Sequence, residues 1–320
     1  MTKDDAIAPF RTQRRGKMKK SRSGRLPSLL ALAATLIAAL GLALGLSALG
    51  DGDGAPAFRA GLLAPSDPGP VHVHGLGIDP KDRSLFIATH TGTWRVAPGE
   101  EKAKRVGDNY QDTMGFTVIG PNRFLGSGHP DARDARKRNL PPLMGLIESS
   151  DAGKTWQQIS LLGEADFHVL RSAGRRVYGF DATNNRLMVS RDEGRHWSAR
   201  RPPAPLIDLI VDPRNAGHLV ASSERGLHES GDAGQTWKQL GDEVGLLAWP
   251  GSERLYLVDG AGTVRVRGSA AERWRGVGEI GGEPAALLAR SDDELYVALH
   301  DGTIKRSTDG GVSWLVRSRP

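Results

Sequence analysis

Six short apolar runs, each passing into a polar turn, recur along most of this chain: SLFIATHTG (84–92), RFLGSGHPD (123–131), RVYGFDATN (176–184), HLVASSERG (218–226), RLYLVDGAG (254–262) and ELYVALHDG (294–302). Runs this short, rich in Val, Leu, Tyr and Phe and closed by Gly, Asp or Asn, read as β-strands rather than helices. Their spacing of roughly 40 residues is a repeat period, and repeats of that length built from short strands are the signature of a propeller.

A second pattern follows the strands at the same period. The octets SSDAGKTW (149–156), SRDEGRHW (190–197), SGDAGQTW (230–237) and STDGGVSW (307–314) share Ser-x-Asp-x-Gly-x-x-Trp, and their aspartates Asp151, Asp192, Asp232 and Asp309 are 41, 40 and 77 residues apart. The last gap is nearly two periods. Trp274, 37 residues after Trp237 and 40 before Trp314, marks an eroded copy inside it. Each octet has the chemistry of a hairpin turn. The Asp carboxylate accepts from backbone N–H groups, Gly153, Gly194, Gly234 and Gly311 permit positive φ, and Trp156, Trp197, Trp237 and Trp314 cover the hairpin with an apolar ring. With an eroded first unit at about 71–108 and a second unit lengthened by GHPDARDARKRNLPPLMG, the count is six units of about four strands each. The predicted fold is all-β, a six-bladed β-propeller over 71–320.

The N-terminal segment is different in kind. Residues 27–50, PSLLALAATLIAALGLALGLSALG, contain no charge and are long enough to cross ~30 Å of hydrocarbon. They predict a transmembrane signal-anchor at 28–49 behind a basic cytoplasmic tail, 1–27, and a Gly-, Pro- and Asp-rich linker, 50–70. Positive charge stays on the cytoplasmic side, which puts a single-pass protein in the cell membrane with its propeller on the extracytoplasmic side. A cleaved signal peptide is the competing reading, with Ala55 and Ala57 as an A-x-A pattern, but its apolar core usually runs only ~7–15 residues.

Charge changes the picture once. The formal net charge is +6, yet nine Lys and Arg between Lys3 and Arg25 against Asp4 and Asp5 give the tail +7 and leave the rest of the chain at about −1. The basic charge is a tail and not a face, so no nucleic-acid partner is expected. The chain has no cysteine, which excludes disulfides and thiolate metal sites together. Its 41 glycines and 19 prolines suit a turn-rich fold.

The octets resemble Asp boxes, also called BNR repeats, of sialidase-like and sortilin-like propellers, over about residues 71–318. HVHGLGIDP, GFTVIGPNRFLGSGHP and LLGEADFH are similar more particularly to bacterial exported propellers labelled glycosyl hydrolase. The resemblance implies that the boxes are structural and lie at the blade periphery, away from the ligand face. It also implies what a sialidase would need: an arginine cluster, a tyrosine nucleophile with a carboxylate partner, and Arg-Ile-Pro before the first box. That tripeptide is absent. Tyr178, Tyr256 and Tyr296 fall at equivalent strand positions and read as repeat core; Tyr110 alone lies in a loop.

If the octets are the turns between third and fourth strands, the opposite face collects the ends of second strands and the starts of first strands. The second strands supply His90, His129, Asp181, Glu224, Asp259 and His300. The first strands supply His72 and His74, then Asp112, Thr113 and Met114, then Asp166 and His168. Six of nine histidines are thus expected on one face, at a top funnel. Three chemistries are open there. A ligand site would use His72, His74, His90, Met114, His129, His168 and His300 to bind a glycan, peptide or protein. A glycoside hydrolase would use paired carboxylates from Asp112, Asp166 and Asp181. A metal site would use His74, His90, His129 and His168 with a carboxylate oxygen, for a divalent ion such as zinc or copper, Met114 favouring copper. The binding reading asks for the fewest special features and is the expectation carried forward.

Overall fold

The computed structural model describes residues 69–251, 254–268 and 272–320. The predicted tail, the span 28–49 and all of the linker before Gly69 lie outside the described residues. Among the described residues no helix is long and apolar enough to cross a membrane.

Among the described residues twenty-four strands form six four-stranded antiparallel sheets. The first sheet is β1 (Val73–Ile78), β2 (Leu85–Thr89), β3 (Gly92–Val96) and β4 (Lys104–Arg105). The second is β5 (Asp112–Gly120), β6 (Arg123–His129), β7 (Leu146–Ser149) and β8 (Gln157–Ser160), with α1 (Ala132–Arg138) between β6 and β7. The third is β9 (Phe167–Ala173), β10 (Arg176–Asp181), β11 (Arg186–Ser190) and β12 (Trp197–Arg200). The fourth is β13 (Leu206–Asp212), β14 (Asn215–Ser223), β15 (Gly226–Ser230) and β16 (Lys238–Gly241). The fifth is β17 (Leu246–Ala248), β18 (Leu255–Val258), β19 (Thr263–Arg267) and β20 (Arg275–Glu279). The sixth is β21 (Pro284–Ala289), β22 (Leu295–Leu299), β23 (Ile304–Ser307) and β24 (Leu315–Ser318).

Strands pair in chain order within every sheet, and the first strands β1, β5, β9, β13, β17 and β21 pack against one another in turn, with β21 against β1 closing the ring. This is the six-bladed propeller that the repeat predicts. Closure is reinforced at the periphery, where Arg317 Nη2 donates to the Ala97 carbonyl at 2.8 Å and Lys102 bridges to Arg319.

The apolar runs explain the stacking. A sheet flanked by two others must be apolar on both faces, so alternation between core and solvent is lost and the second strands read as continuous apolar runs. β2 is buried throughout: Leu85 and Ile87 join a cluster with Ala286, Tyr296 and Ala298 of the sixth sheet, while Phe86 and Ala88 join Phe116 and Phe124 of the second. Every neighbouring pair of sheets shares one such apolar layer, six in all. Tyr178 and Tyr256 are buried in these layers, with their hydroxyls donated to the carbonyls of Ala216 and Asp292, both at 2.6 Å.

The four octets are third-to-fourth-strand turns, as predicted, and share one hydrogen-bond pattern. In the third of them Ser230 Oγ donates to Asp232 Oδ1 at 2.8 Å and accepts from the Gly234 N–H at 2.8 Å. The N–H of Thr236 donates to Asp232 Oδ1 at 2.9 Å and its hydroxyl to Oδ2 at 2.6 Å. The residue after each of the first three aspartates is itself left-handed, with φ of 61° at Ala152, Glu193 and Ala233, so two consecutive residues turn the chain. These bonds favour the ionised carboxylate. Hydrogen bonds from Thr236 pull the Asp232 carboxyl down to about 2, and those from Ser313 do the same for Asp309.

An acid dependence follows. Because the folded pKa lies below the usual 3.8, the unfolded chain binds more protons between the two values. The contribution of Asp232 is therefore present above about pH 4 and lost as pH falls through about 2. Thermal melts should show the gap between the native chain and Asp232→Asn closing steadily from pH 5 to pH 2; a gap independent of pH would contradict the assignment.

Candidate functional site

The face opposite the octets is shaped by a feature of the first strands that no apolar pattern announces. Five of the six carry a β-bulge one or two residues after their start. The register skips His74 in β1, Met114 in β5, His168 in β9, Ile207 in β13 and Ala285 in β21. A bulge leaves its extra residue outside the ladder and re-aims the side chain. In sheets one and three that residue is a histidine, and the neighbouring strand ends add His90, just past β2, and His129, the last residue of β6.

Asp112, the first residue of β5, is the hub. Its Oδ2 lies 2.9 Å from His90 Nδ1 and 3.3 Å from His129 Nδ1. Its Oδ1 lies 3.9 Å from His74 Nε2. The His74 and His90 rings meet edge to face at 4.3 Å between centroids, and His72, left-handed at φ 54°, brings its ring to 5.4 Å from His90. A second carboxylate continues the cluster. Asp166 Oδ2 lies 2.9 Å from His168 Nε2 and 3.9 Å from His129 Nε2, so the His129 ring spans the two acids.

Burial and these contacts set the charges. Burial, helped by the neighbouring His90, lowers His74 to about 3, leaving a neutral imidazole. Burial would raise Asp112, but the hydrogen bonds from His129 and His90 outweigh it and hold the carboxyl well below the usual carboxylate range. The hydrogen bond to Asp112 raises His129. Three polar atoms of the cluster, His74 Nε2, Asp112 Oδ1 and Asp166 Oδ1, are buried with no hydrogen-bond partner in the protein. Such atoms cost about 1–3 kcal/mol each when left unsatisfied. Ligand atoms of His74, His90 and Asp112 all lie within 4.8 Å of one another, a set that fits a metal ion.

The other sequence candidates fall elsewhere. Asp181 is fully buried, with Oδ2 taken by Arg186 Nε at 2.7 Å and Asn184 Nδ2 at 2.8 Å and Oδ1 facing the Asp166 N–H at 3.3 Å. It holds the turn that presents Asp166. His300 is 57% exposed, its nearest acid Glu283 at 4.0 Å, and it stands apart from the cluster. Met114 is buried at its bulge. The insertion after His129 is docked: Arg133 bonds Asp131 at 2.6 Å and stacks over Tyr110, a ring that Arg105 also stacks on. The sequence reading passed over Asp208, whose buried carboxylate joins three sheets. Its single pointer was an acid inside the apolar run of β13.

No protein-family model matches the chain. A stretch of 98 residues, 30% of this chain, is 32% identical to 26% of the dispase autolysis-inducing protein of Streptomyces mobaraensis. The chain thus spans about a quarter of that relative. Among solved structures it is similar to the GH74 enzyme of Niastella koreensis (TM-score 0.56, 14% identity, 78% of this chain and 45% of that one). It is similar also to the nidogen/laminin complex (TM-score 0.56, 14% identity, 74% of this chain and 93% of that one) and to YCF48 bound to D1 peptide (TM-score 0.50, 15% identity, 78% and 82%). These likenesses establish the fold. The propeller covers under half of the GH74 chain, and solved structures of this fold include both a hydrolase and peptide- or protein-bound forms.

Proposed function

We propose that this chain is an Asp-box propeller of the sialidase- and sortilin-like kind, carried outside the cytoplasmic membrane on the apolar span 28–49, and that it binds a ligand at the histidine cluster without hydrolysing glycosides. One observation carries the reading: three buried polar atoms, His74 Nε2 in β1, Asp112 Oδ1 in β5 and Asp166 Oδ1 just before β9, have no hydrogen-bond partner in the protein and belong to one cluster. Buried polar groups are nearly always satisfied, so a cluster with three orphans is a site whose remaining partner comes from outside. The uncharged segment 27–50 behind its basic tail supports the anchor, and the Ser-Asp-Gly-Trp turns support the repeat family.

Hydrolysis is the poorer fit. A glycosidase needs one carboxyl held protonated near neutral pH to act as general acid. Asp112 is pulled the opposite way by its histidines, and Asp181 is committed to Arg186 and Asn184. Native mass spectrometry of the full-length protein, released from membranes of its source organism in mild detergent, tests the binding reading. A retained mass above that of the polypeptide is expected, and it should be missing from the folded His74→Ala/Asp112→Asn double variant. Identical bare masses for both proteins, or turnover of a glycoside by the native chain, would overturn it.

A further inference from the structure

We propose that His74, His90 and Asp112 bind one divalent first-row transition metal ion, zinc or copper(II), with a coordination position left open, while His129 acts outside the ligand set as a positioning residue. The inference rests on the binding reading above and names its ligand. The spacing argues for an ion: donor atoms all within 4.8 Å of one another can be bridged by a single atom. At metal–ligand bonds of about 2.1 Å, donors around a tetrahedral ion sit roughly 3.4 Å apart, and His74 Nε2 and Asp112 Oδ1 are already 3.9 Å apart, while His90 Nδ1, 2.9 Å from the other oxygen of Asp112, lies against the same carboxylate.

The chemistry of the donors agrees. His74 Nε2 and Asp112 Oδ1 face each other at 3.9 Å and neither has a hydrogen-bond partner in the protein, so neither gives up a hydrogen bond there when an ion arrives. Two imidazoles and one carboxylate select imidazole-loving ions over calcium and magnesium, which want all-oxygen shells. Three protein ligands leave the fourth tetrahedral position free, as in catalytic rather than structural zinc sites. His129 is placed differently from the sequence expectation. Its Nδ1 faces Asp112 Oδ2, the oxygen turned away from His74, and its Nε2 faces Asp166. That is the position of an outer residue that orients a ligating carboxylate. His168, turned to Asp166, also falls outside the ligand set.

The test uses the untagged full-length chain in detergent, stripped with EDTA and dialysed. Titration with zinc chloride, followed by calorimetry, should give one site per chain at micromolar or tighter affinity, and magnesium and calcium should give none. Copper(II) bound at the same site should show nitrogen splitting in its electron paramagnetic resonance spectrum. His74→Ala and Asp112→Asn should each weaken zinc at least a hundredfold, His90→Gln comparably, and His129→Gln ten- to hundredfold, in line with outer residues at other sites. His300→Ala should bind as the native chain does. Circular dichroism and a thermal melt in EDTA establish that each variant is folded, and His90→Gln, at a half-exposed ring, serves where the buried variants are not. Absence of one-to-one zinc uptake by the native chain, or uptake unchanged in His90→Gln and His74→Ala, overturns the metal assignment. A retained organic mass in the native protein alongside either result would leave the binding reading standing and sink the metal alone.

Discussion

Gly128→Ala is expected to cost about 3 kcal/mol of stability and to empty the histidine cluster in whatever fraction remains folded. Gly128 lies at φ +136°, a region that L side chains rarely enter, and a Cβ there would stand 2.2 Å from the Asp112 carbonyl oxygen and 2.9 Å from the Met114 nitrogen. Both contacts are backbone, so no rotamer change relieves them. Strain at such φ values costs about 1–3 kcal/mol and overpacking about as much again. The relief available is for β5 to move off β6, and this strand pair positions Asp112 opposite His129. In a domain of this size 3 kcal/mol is roughly 6–12 °C of melting temperature. Gly276→Ala is the control, since nothing lies within 4 Å of its Cβ position and its φ is unexceptional. A Gly128→Ala chain that melts with Gly276→Ala and keeps its retained mass would show that β5 and β6 are not held as described.

Why the fold was legible and the site only half so comes down to how many residues each depends on. Six apolar layers involve dozens of side chains, and the octets repeat one hydrogen-bond pattern four times, so a period near 40 survives the erosion of the copies around Trp274 and in the first unit. The site depends on single-residue register. Read as equivalent strand ends, His90, His129 and Asp181 form a row, but the ladder pairs Asp181 with Phe167 as it pairs Thr89 with Val73 and Gly128 with Thr113. Asp181 therefore sits one position earlier than the two histidines, inside the sheet, where its carboxylate turns to Arg186 and Asn184. The residue equivalent to His90 in that sheet is Ala182. The bulges at His74, Met114 and His168 are invisible for the same reason: one extra residue at the start of a strand disturbs no hydrophobic period. His300 occupies the position of His90 in the sixth sheet, yet the first strand beside it begins Pro284-Ala285 and offers no donor, so the row of histidines ends at the third sheet.

Asp208→Ala should lower stability by about 3 kcal/mol, the second large effect expected in this molecule, although the residue touches no part of the cluster. Its carboxylate accepts from Arg171 Nη2 in β9 at 2.7 Å, from the N–H of Leu209 in its own strand at 2.7 Å and from the N–H of Leu247 in β17 at 2.8 Å. One side chain thus ties the third, fourth and fifth sheets together at their innermost strands. Removing one member of a buried ion pair typically costs 3–5 kcal/mol, and the lower figure applies here because Arg171 is partly exposed and recovers some hydration. The Leu247 N–H, deep between sheets, would recover none. Burial pushes the Asp208 carboxyl up even against Arg171, so the charge itself is held at a cost and Asp208→Asn, which keeps an acceptor oxygen, should lose less than Asp208→Ala. Chemical denaturation of the three proteins at pH 7 reads the order directly. Equal midpoints for native and Asp208→Ala would mean that the apolar layers alone register these sheets.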